Sequence, residues 1–356
     1  MPGEEFVIVG ASLAGAKAAE ELRTQGFDGS IVLIGAEPEI PYERPPLSKD
    51  YLRGESDREK TRVHPLSFYA THQIELLTAT TVTAVDPHER RITLADGGER
   101  GYDRLLLATG SQPRTIDLPG ADLGGVCYLR TLADCDALRG RLEDGGPLVV
   151  VGAGWIGSEV AASARQLGLD VTVVEPAAEP LLRVLGPELG AFYRDVHREH
   201  GVEMLVGTGV ERFEGDGSVE RVHTSDGRAL DCAFVVVGVG AGPRVELAKA
   251  AGIEVESGVV VDASLASSAP GVYAAGDIAE AWHPFFERRI RVEHWSTALN
   301  QGPAAARAML GQDVSYDRLP YFFSDQYDVG MEYRGFAAEW DRVVFRGDPA
   351  SREFIA

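Results

Sequence analysis

The sequence predicts an α/β fold: two Rossmann-like dinucleotide-binding domains and a small α+β C-terminal domain. Three observations carry this. An apolar strand runs into a glycine-rich turn and a small-residue helix at the start of the chain. The same strand–turn–helix order returns at 148–167. The last stretch, 321–356, alternates polar and apolar residues as strands do.

Length and composition agree with this. A chain of 356 residues exceeds one ordinary domain, and 44% hydrophobic residues suffice for large buried cores. No apolar run approaches the length needed to cross a bilayer. The N-terminus, Met1-Pro2-Gly3-Glu4-Glu5, is an acidic tip leading straight into a strand, not a signal peptide. A cytoplasmic protein without a membrane partner is expected. The net charge of −21 disfavours a nucleic-acid binder, which needs a positive footprint. The richest basic stretch is Glu287-Arg288-Arg289-Ile290-Arg291. It reads either as a docking patch for a negative partner or as a solvated strand pair. Cys127, Cys135 and Cys232 form no C-x-x-C pair. Neither a disulfide framework nor a zinc or iron–sulfur site is expected, and no metal site at all.

The elements follow in order. Phe6-Val7-Ile8-Val9 is the first strand, 13–22 the helix, and 30–35 the second strand. Pro41-Tyr42-Glu43-Arg44-Pro45-Pro46 is a loop that cannot be helical throughout. Further strands are expected at 91–94 and 102–108. The break Gly145-Gly146-Pro147 opens the second unit, and a buried strand at 231–237 closes it at Gly238. The chain then returns to the first unit. The expected domains are 1–114 with 242–318, then 115–241, then 319–356.

The segment Gly152-Ala153-Gly154-Trp155-Ile156-Gly157 is a full G-x-G-x-x-G between a β-branched strand and an Ala-rich helix. Gly152 permits the tight turn, Gly154 lets backbone approach a pyrophosphate, and Gly157 lets helix and strand pack closely. The helix N-terminus supplies unpaired N–H groups and partial positive charge. Glu175 ends the next strand, placed to accept hydrogen bonds from a ribose diol. Its carboxylate would repel a 2′-phosphate, so NAD is expected over NADP. The first copy, Gly10-Ala11-Ser12-Leu13-Ala14-Gly15, has Ser12 in place of the middle glycine, and its acid is Glu37. Two dinucleotide folds imply two dinucleotides, FAD and NAD (as NADH). Ala108-Thr109-Gly110, closing an apolar strand, and Gly276-Asp277, closing another, select FAD for the first; Asp277 could accept from a ribityl chain.

On these motifs the chain resembles the FAD-dependent, NADH-using ferredoxin and rubredoxin reductases of bacterial oxygenase systems, which have a glutathione-reductase-like fold. Arg44-Pro45-Pro46-Leu47-Ser48-Lys49, Ala108 to Gly110, Gly152 to Gly157, Tyr273 to Asp277 and Ser324-Asp325-Gln326 carry the resemblance, which covers essentially the whole chain. It implies FAD contacts at Ala14, Gly15, Glu37, Lys49, Val82, Arg130, Asp277 and Trp295, joined by Arg44 and Thr109. Glu293 and His294 fall in the loop expected to border the flavin, where His294 could equally be a packed histidine. The resemblance implies NAD contacts at Gly154, Ile156, Glu175, Arg183 and Gly238. Lys49 and Glu159 match an ion pair beside the flavin's reactive face and are the catalytic candidates. The alternatives are a surface lysine and an exposed first-turn acid stabilised by the helix dipole.

The activity implied is hydride transfer from NADH to FAD. Single electrons then pass to a small [2Fe–2S] ferredoxin serving a P450 or Rieske oxygenase, in a monomer or weak homodimer. A rubredoxin acceptor, or an NADH-responsive redox-sensing interaction flavoprotein, is the alternative. A disulfide reductase or Cys-dependent oxidase would need a cysteine in the segment 41–49, which has none. Two departures stand out. The residue before Ser-Asp-Gln is Phe323 where the family often has tryptophan, and the chain ends inside an apparent strand, so the C-terminal domain is expected to be truncated. His197 and His200 lie three apart on a predicted helix; without a third ligand they read as a solvated face.

Overall fold

A computed structural model describes residues 3–356, which divide into two units. The first comprises residues 3–43, Arg58–Gln112 and Gly242–Phe322. Its centre is a five-stranded parallel sheet in the order Val272–Ala274, Arg104–Leu107, Glu5–Val9, Ser30–Ile34, Ile74–Leu77. Val7 lies opposite Val32 on one side and Leu105 on the other. The central strands are covered on both faces, so they are continuous apolar runs rather than alternating ones. The helix Leu13–Thr24 packs along Trp295–Met309. Small residues let the two backbones nearly touch: a Cβ on Gly302 would lie 2.2 Å from the Ala14 carbonyl oxygen.

The second unit comprises Arg44–Asp57, Pro113–Ala241 and Phe323–Ala356. Its parallel sheet runs Glu203–Val206, Val171–Glu175, Leu148–Val151, Phe234–Val237, Val126–Cys127. The order of four of its strands is that of the first unit, while the edge strand Val126–Cys127 precedes the glycine turn where the first unit's edge strand Val272–Ala274 comes last. The strand entering the glycine turn is central, its successor lies on one side, and the closing strand on the other. The helix Trp155–Gln166 follows the turn. The longer Leu182–Glu199 is two helices merged across Gly186, whose φ of 79° and the following Pro187 break the ladder.

Two expectations need correction. The strand expected at 231–237 is shorter: Ala229–Asp231 belongs to an antiparallel sheet, and only Phe234–Val237 joins the parallel one. The segment 44–57, expected with the first domain, clusters with the second unit. The Ser163 hydroxyl donates to the Ser48 carbonyl (2.7 Å), and the Tyr51 hydroxyl donates to Asp136 (2.6 Å). The stretch after 320 is β-rich as its alternation predicts, and from Phe323 onward it groups with the second unit. The basic stretch lies mostly in the strand Arg288–Arg291, paired antiparallel with Ala279–His283. Arg289 meets Glu256 and Arg291 meets Glu293, which is the solvated strand pair.

Candidate dinucleotide sites and a buried ion pair

Strand direction gathers the first unit's candidates. Strands of a parallel sheet all end at one edge, and Gly10, Glu37, Ala108 and Gly276 follow the ends of four of them. Gly10 has φ +122°, and a Cβ there would lie 2.0 Å from the Ala108 carbonyl oxygen. A Cβ on Gly15 would meet the Gly10 carbonyl oxygen at 2.1 Å. Both glycines are therefore required by backbone contact. Ser12, the departure from the motif, is the N-cap of Leu13–Thr24, with φ −121° and no side-chain capping bond. Extended backbone suits any residue, so no glycine is needed here. Ser12→Gly should accordingly change the melting free energy by less than about 0.5 kcal/mol and leave flavin content unaltered. A larger loss in a thermal melt would show that the hydroxyl has a role.

The other candidates of this unit have defined partners. The Tyr42 hydroxyl donates to Glu37. Thr109 donates to the Arg244 carbonyl at 2.7 Å. The Gly276 N–H donates to Gln301 Oε1 at 2.9 Å; Gln301, 4% exposed, was not foreseen in the sequence. Trp295 donates to Glu43 at 3.2 Å, Asp277 follows Gly276 in a 3-10 turn, and Glu293 is exposed. His294 is the N-cap of Trp295–Met309, its ring 4.4 Å from that of Phe322. Burial lowers its pKa to about 4 against a partly opposing effect of Asp277, so it is a neutral, packed histidine. Val82 is buried in a separate antiparallel sheet.

The second unit repeats the geometry. Gly152 has φ +96°, and its Cβ would lie 2.6 Å from the Gly238 carbonyl oxygen; that of Gly157 would lie 2.0 Å from the Gly152 oxygen. Gly154 is the N-cap and has open space, with nothing nearer than 3.9 Å. That is the clearance a phosphate at a helix N-terminus needs. The Glu175 carboxylate accepts from the Ala153 N–H (2.7 Å) and the Ala177 N–H (2.8 Å), so it is fixed beside the turn while each oxygen retains a lone pair. Ile156 is 43% exposed and Arg183 is exposed in the first turn of its helix. Both glycine turns, with their acids, fit a dinucleotide.

Lys49 and Glu159 do meet, inside the second unit. Lys49 Nζ lies 2.7 Å from Glu159 Oε2, with side chains 11% and 5% exposed. The surface-lysine and exposed-acid alternatives are therefore wrong. The hydroxyls of Ser48 (2.5 Å) and Ser324 (2.7 Å) also donate to this carboxylate. The Lys49 ammonium lies 5.5 Å from the ring centre of Phe323, the residue that stands where tryptophan is usual. In the same unit Arg44 donates to the Arg130 carbonyl.

The solvated-face reading of His197 is also overturned. His197 is 0% exposed, bonded to Gln326 (3.0 Å) and to Tyr327 (3.1 Å). Its signal was present: Tyr193, Val196 and His197 fall at helical spacing on one buried face. Burial pushes its pKa down to about 4. The unfolded chain thus takes up a proton near pH 6.5 that the folded chain refuses. Stability is fully present above about pH 6.5 and falls as pH drops toward 4, by about 3 kcal/mol for a shift of this size. Melts from pH 7 to 4.5 should show a smaller decline for His197→Gln than for the native chain; equal slopes would refute this assignment.

Among the described residues no group of His, Cys, Asp and Glu is arranged to hold a metal, and no helix is long and apolar enough to cross a membrane. The three cysteines are free. Burial raises the thiol pKa of Cys135 to about 12 and of Cys232 to about 11, which holds both as unreactive thiols.

Comparison with known proteins agrees with this geometry. Residues 4–302 match the family described as pyridine nucleotide-disulphide oxidoreductase, and residues 321–356 match the reductase C-terminal family. The anthranilate 1,2-dioxygenase system ferredoxin–NAD(+) reductase component of Burkholderia cepacia is 41% identical, over 99% of this chain and 87% of that one. Rhodocoxin reductase of Rhodococcus erythropolis is 40% identical, over 98% and 82%. The covalent putidaredoxin reductase–putidaredoxin complex superposes with a TM-score of 0.96 at 38% identity, over 99% of this chain and 86% of that one. With both glycine turns, both acids and the strand order in place, the chain belongs to the pyridine nucleotide-disulphide oxidoreductase family, oxidoreductases that bind FAD and use NAD(H).

Proposed function

We propose that this chain is an NADH-dependent ferredoxin reductase serving an oxygenase. The supporting observation is the pair of matched glycine-turn and acid sets together with the absence of any cysteine from 41–49. Without a resident disulfide, electrons leave to an external carrier. The relatives named as ferredoxin reductases point to a ferredoxin. A [2Fe–2S] centre in that carrier, a monomer or weak homodimer, a cytoplasmic location and a P450 or Rieske oxygenase downstream are part of the proposal.

When bound, FAD supplies hydride acceptance from NADH and release of electrons one at a time. This chain's residues bind and orient. The first turn with Glu37 holds FAD, and the second with Glu175 holds NADH. Arg44, Val82, Thr109, Arg130, Asp277, Glu293, His294 and Trp295 complete the proposed FAD set; Ile156, Arg183 and Gly238 complete the NAD set. Lys49 supplies positive charge to the reduced cofactor, and Glu159 fixes the position of the ammonium.

Anaerobic titration with NADH and NADPH, followed in the flavin band, tests this. NADH should bleach the band at much lower concentration than NADPH. Glu175→Gln, which keeps an acceptor but loses the charge, should narrow the preference by roughly tenfold or more. An NADH-reduced enzyme that transfers electrons to rubredoxin but not to ferredoxin would change the acceptor; a bound flavin that NADH cannot reduce would refute the reading.

A further inference from the structure

We infer that Ser324, Gln326 and His197 form a directed hydrogen-bond chain that locks the Glu159 carboxylate onto Lys49, making Ser324 and Gln326 positioning residues for hydride transfer. This rests on the reading of Lys49 and Glu159 given above. The chain is continuous. Ser324 Oγ donates to Glu159 Oε1 at 2.7 Å, Gln326 Nε2 donates to Ser324 Oγ at 3.2 Å, and Gln326 Oε1 meets His197 Nε2 at 3.0 Å. Tyr327 OH closes it on His197 Nδ1 at 3.1 Å. Glu159 is 4% exposed, and the other three members are 0 or 1% exposed, so water does not compete for these bonds.

Its direction is fixed by counting donors. The single Ser324 proton goes to the carboxylate, so the Ser324 oxygen must accept, and only an amide N–H of Gln326 offers. The Gln326 carbonyl then faces His197, which must carry its hydrogen on Nε2. Nδ1 is left bare to accept from Tyr327. Every bond points toward Glu159, which suits an ionised carboxylate paired with an ammonium. The amide in the middle cannot release a proton at neutral pH, so the chain transmits orientation and not protons.

The chain also draws on three separate elements. Glu159 lies on Trp155–Gln166, His197 on Leu182–Glu199, and Ser324 and Gln326 on Tyr321–Gln326. Ser48 and Lys49 hold Oε2, while among the described residues the hydrogen-bond chain holds Oε1 through Ser324. The carboxylate is thereby fixed at both oxygens, as a group aligning a catalytic ammonium must be.

Two measurements on the flavin-loaded protein test this. In stopped-flow reduction by NADH, Ser324→Ala and Gln326→Leu should each slow flavin reduction by about tenfold, with NADH dissociation constants within about twofold of native. The double variant should be no slower than the slower single one, because both cut the same chain. Ser324→Thr, which keeps the hydroxyl, should recover most of the rate. Nitrogen-15 NMR of histidine-labelled protein should show His197 as the neutral Nε2–H form. Unchanged reduction in both single variants, or simple additivity, would overturn the positioning role. An Nδ1–H His197 would overturn the direction of the chain. A native protein that NADH does not reduce would refute the functional reading, while the tautomer would still decide the chain.

Discussion

Gly10→Ala should give a protein that purifies without flavin and melts far below the native chain. The added methyl would stand 2.0 Å from the Ala108 oxygen, 2.4 Å from its carbonyl carbon and 3.0 Å from the Thr109 nitrogen. All three are backbone atoms of the segment closing a central strand, so no rotamer change relieves the contact. The φ of +122° adds strain for any residue with a Cβ. Strain and overpacking together should cost about 3–5 kcal/mol. The same displacement opens the turn at the helix N-terminus proposed to hold the pyrophosphate of FAD. The ratio of flavin to protein absorbance and a thermal melt check both effects. A yellow variant of native stability would mean that the turn relaxes freely, and the packing account would fail.

The second large effect is expected at Glu159. Glu159→Ala removes the acceptor on which the Lys49 ammonium and the Ser48 and Ser324 hydroxyls converge. Among the described residues the ammonium, 11% exposed, then retains the Pro45 carbonyl at 3.3 Å and the face of Phe323. Removing one partner of a buried pair costs about 3–5 kcal/mol, because the other is left charged and desolvated. Denaturant unfolding should show that loss, and flavin reduction by NADH should slow in parallel. Glu159→Gln should fall between, since it keeps one acceptor but no charge. A Glu159→Ala protein within about 0.5 kcal/mol of native would mean that water replaces the carboxylate.

Much of this molecule was legible in its sequence because its chemistry is local. The turns at Gly10 and Gly152 are set by glycines five residues apart, the missing Cβ of the second sitting against the carbonyl oxygen of the first, and strand and helix periodicity flanks both. Glu37 and Glu175 follow from their place at the end of the next strand. What escaped is what depends on distant pairs. Nothing in 44–57 announces that Ser48 will meet Ser163 or that Tyr51 will meet Asp136, so the segment was assigned to its sequence neighbours. His197 was misread because the adjacent Arg198 and Glu199 are exposed, whereas its partner Gln326 lies 129 positions away. Gln301 reaches the Gly276 turn from a helix whose pattern marks it only as a polar residue among alanines.

The interleaving of the two units dictates an order of assembly. The first parallel sheet begins at Glu5 but is not complete until Val272–Ala274 docks beside Arg104–Leu107, and the helix Leu13–Thr24 waits longer still for Trp295–Met309. The second parallel sheet is complete at Val237. On the ribosome the nascent chain therefore carries an unfinished first sheet, with the apolar flank of Leu13–Thr24 uncovered, while the second parallel sheet already possesses all its strands. Synthesis usually lets the N-terminal domain fold first. Here the parallel sheet begun first is finished last, and its exposure during elongation is where chaperone demand and aggregation should concentrate.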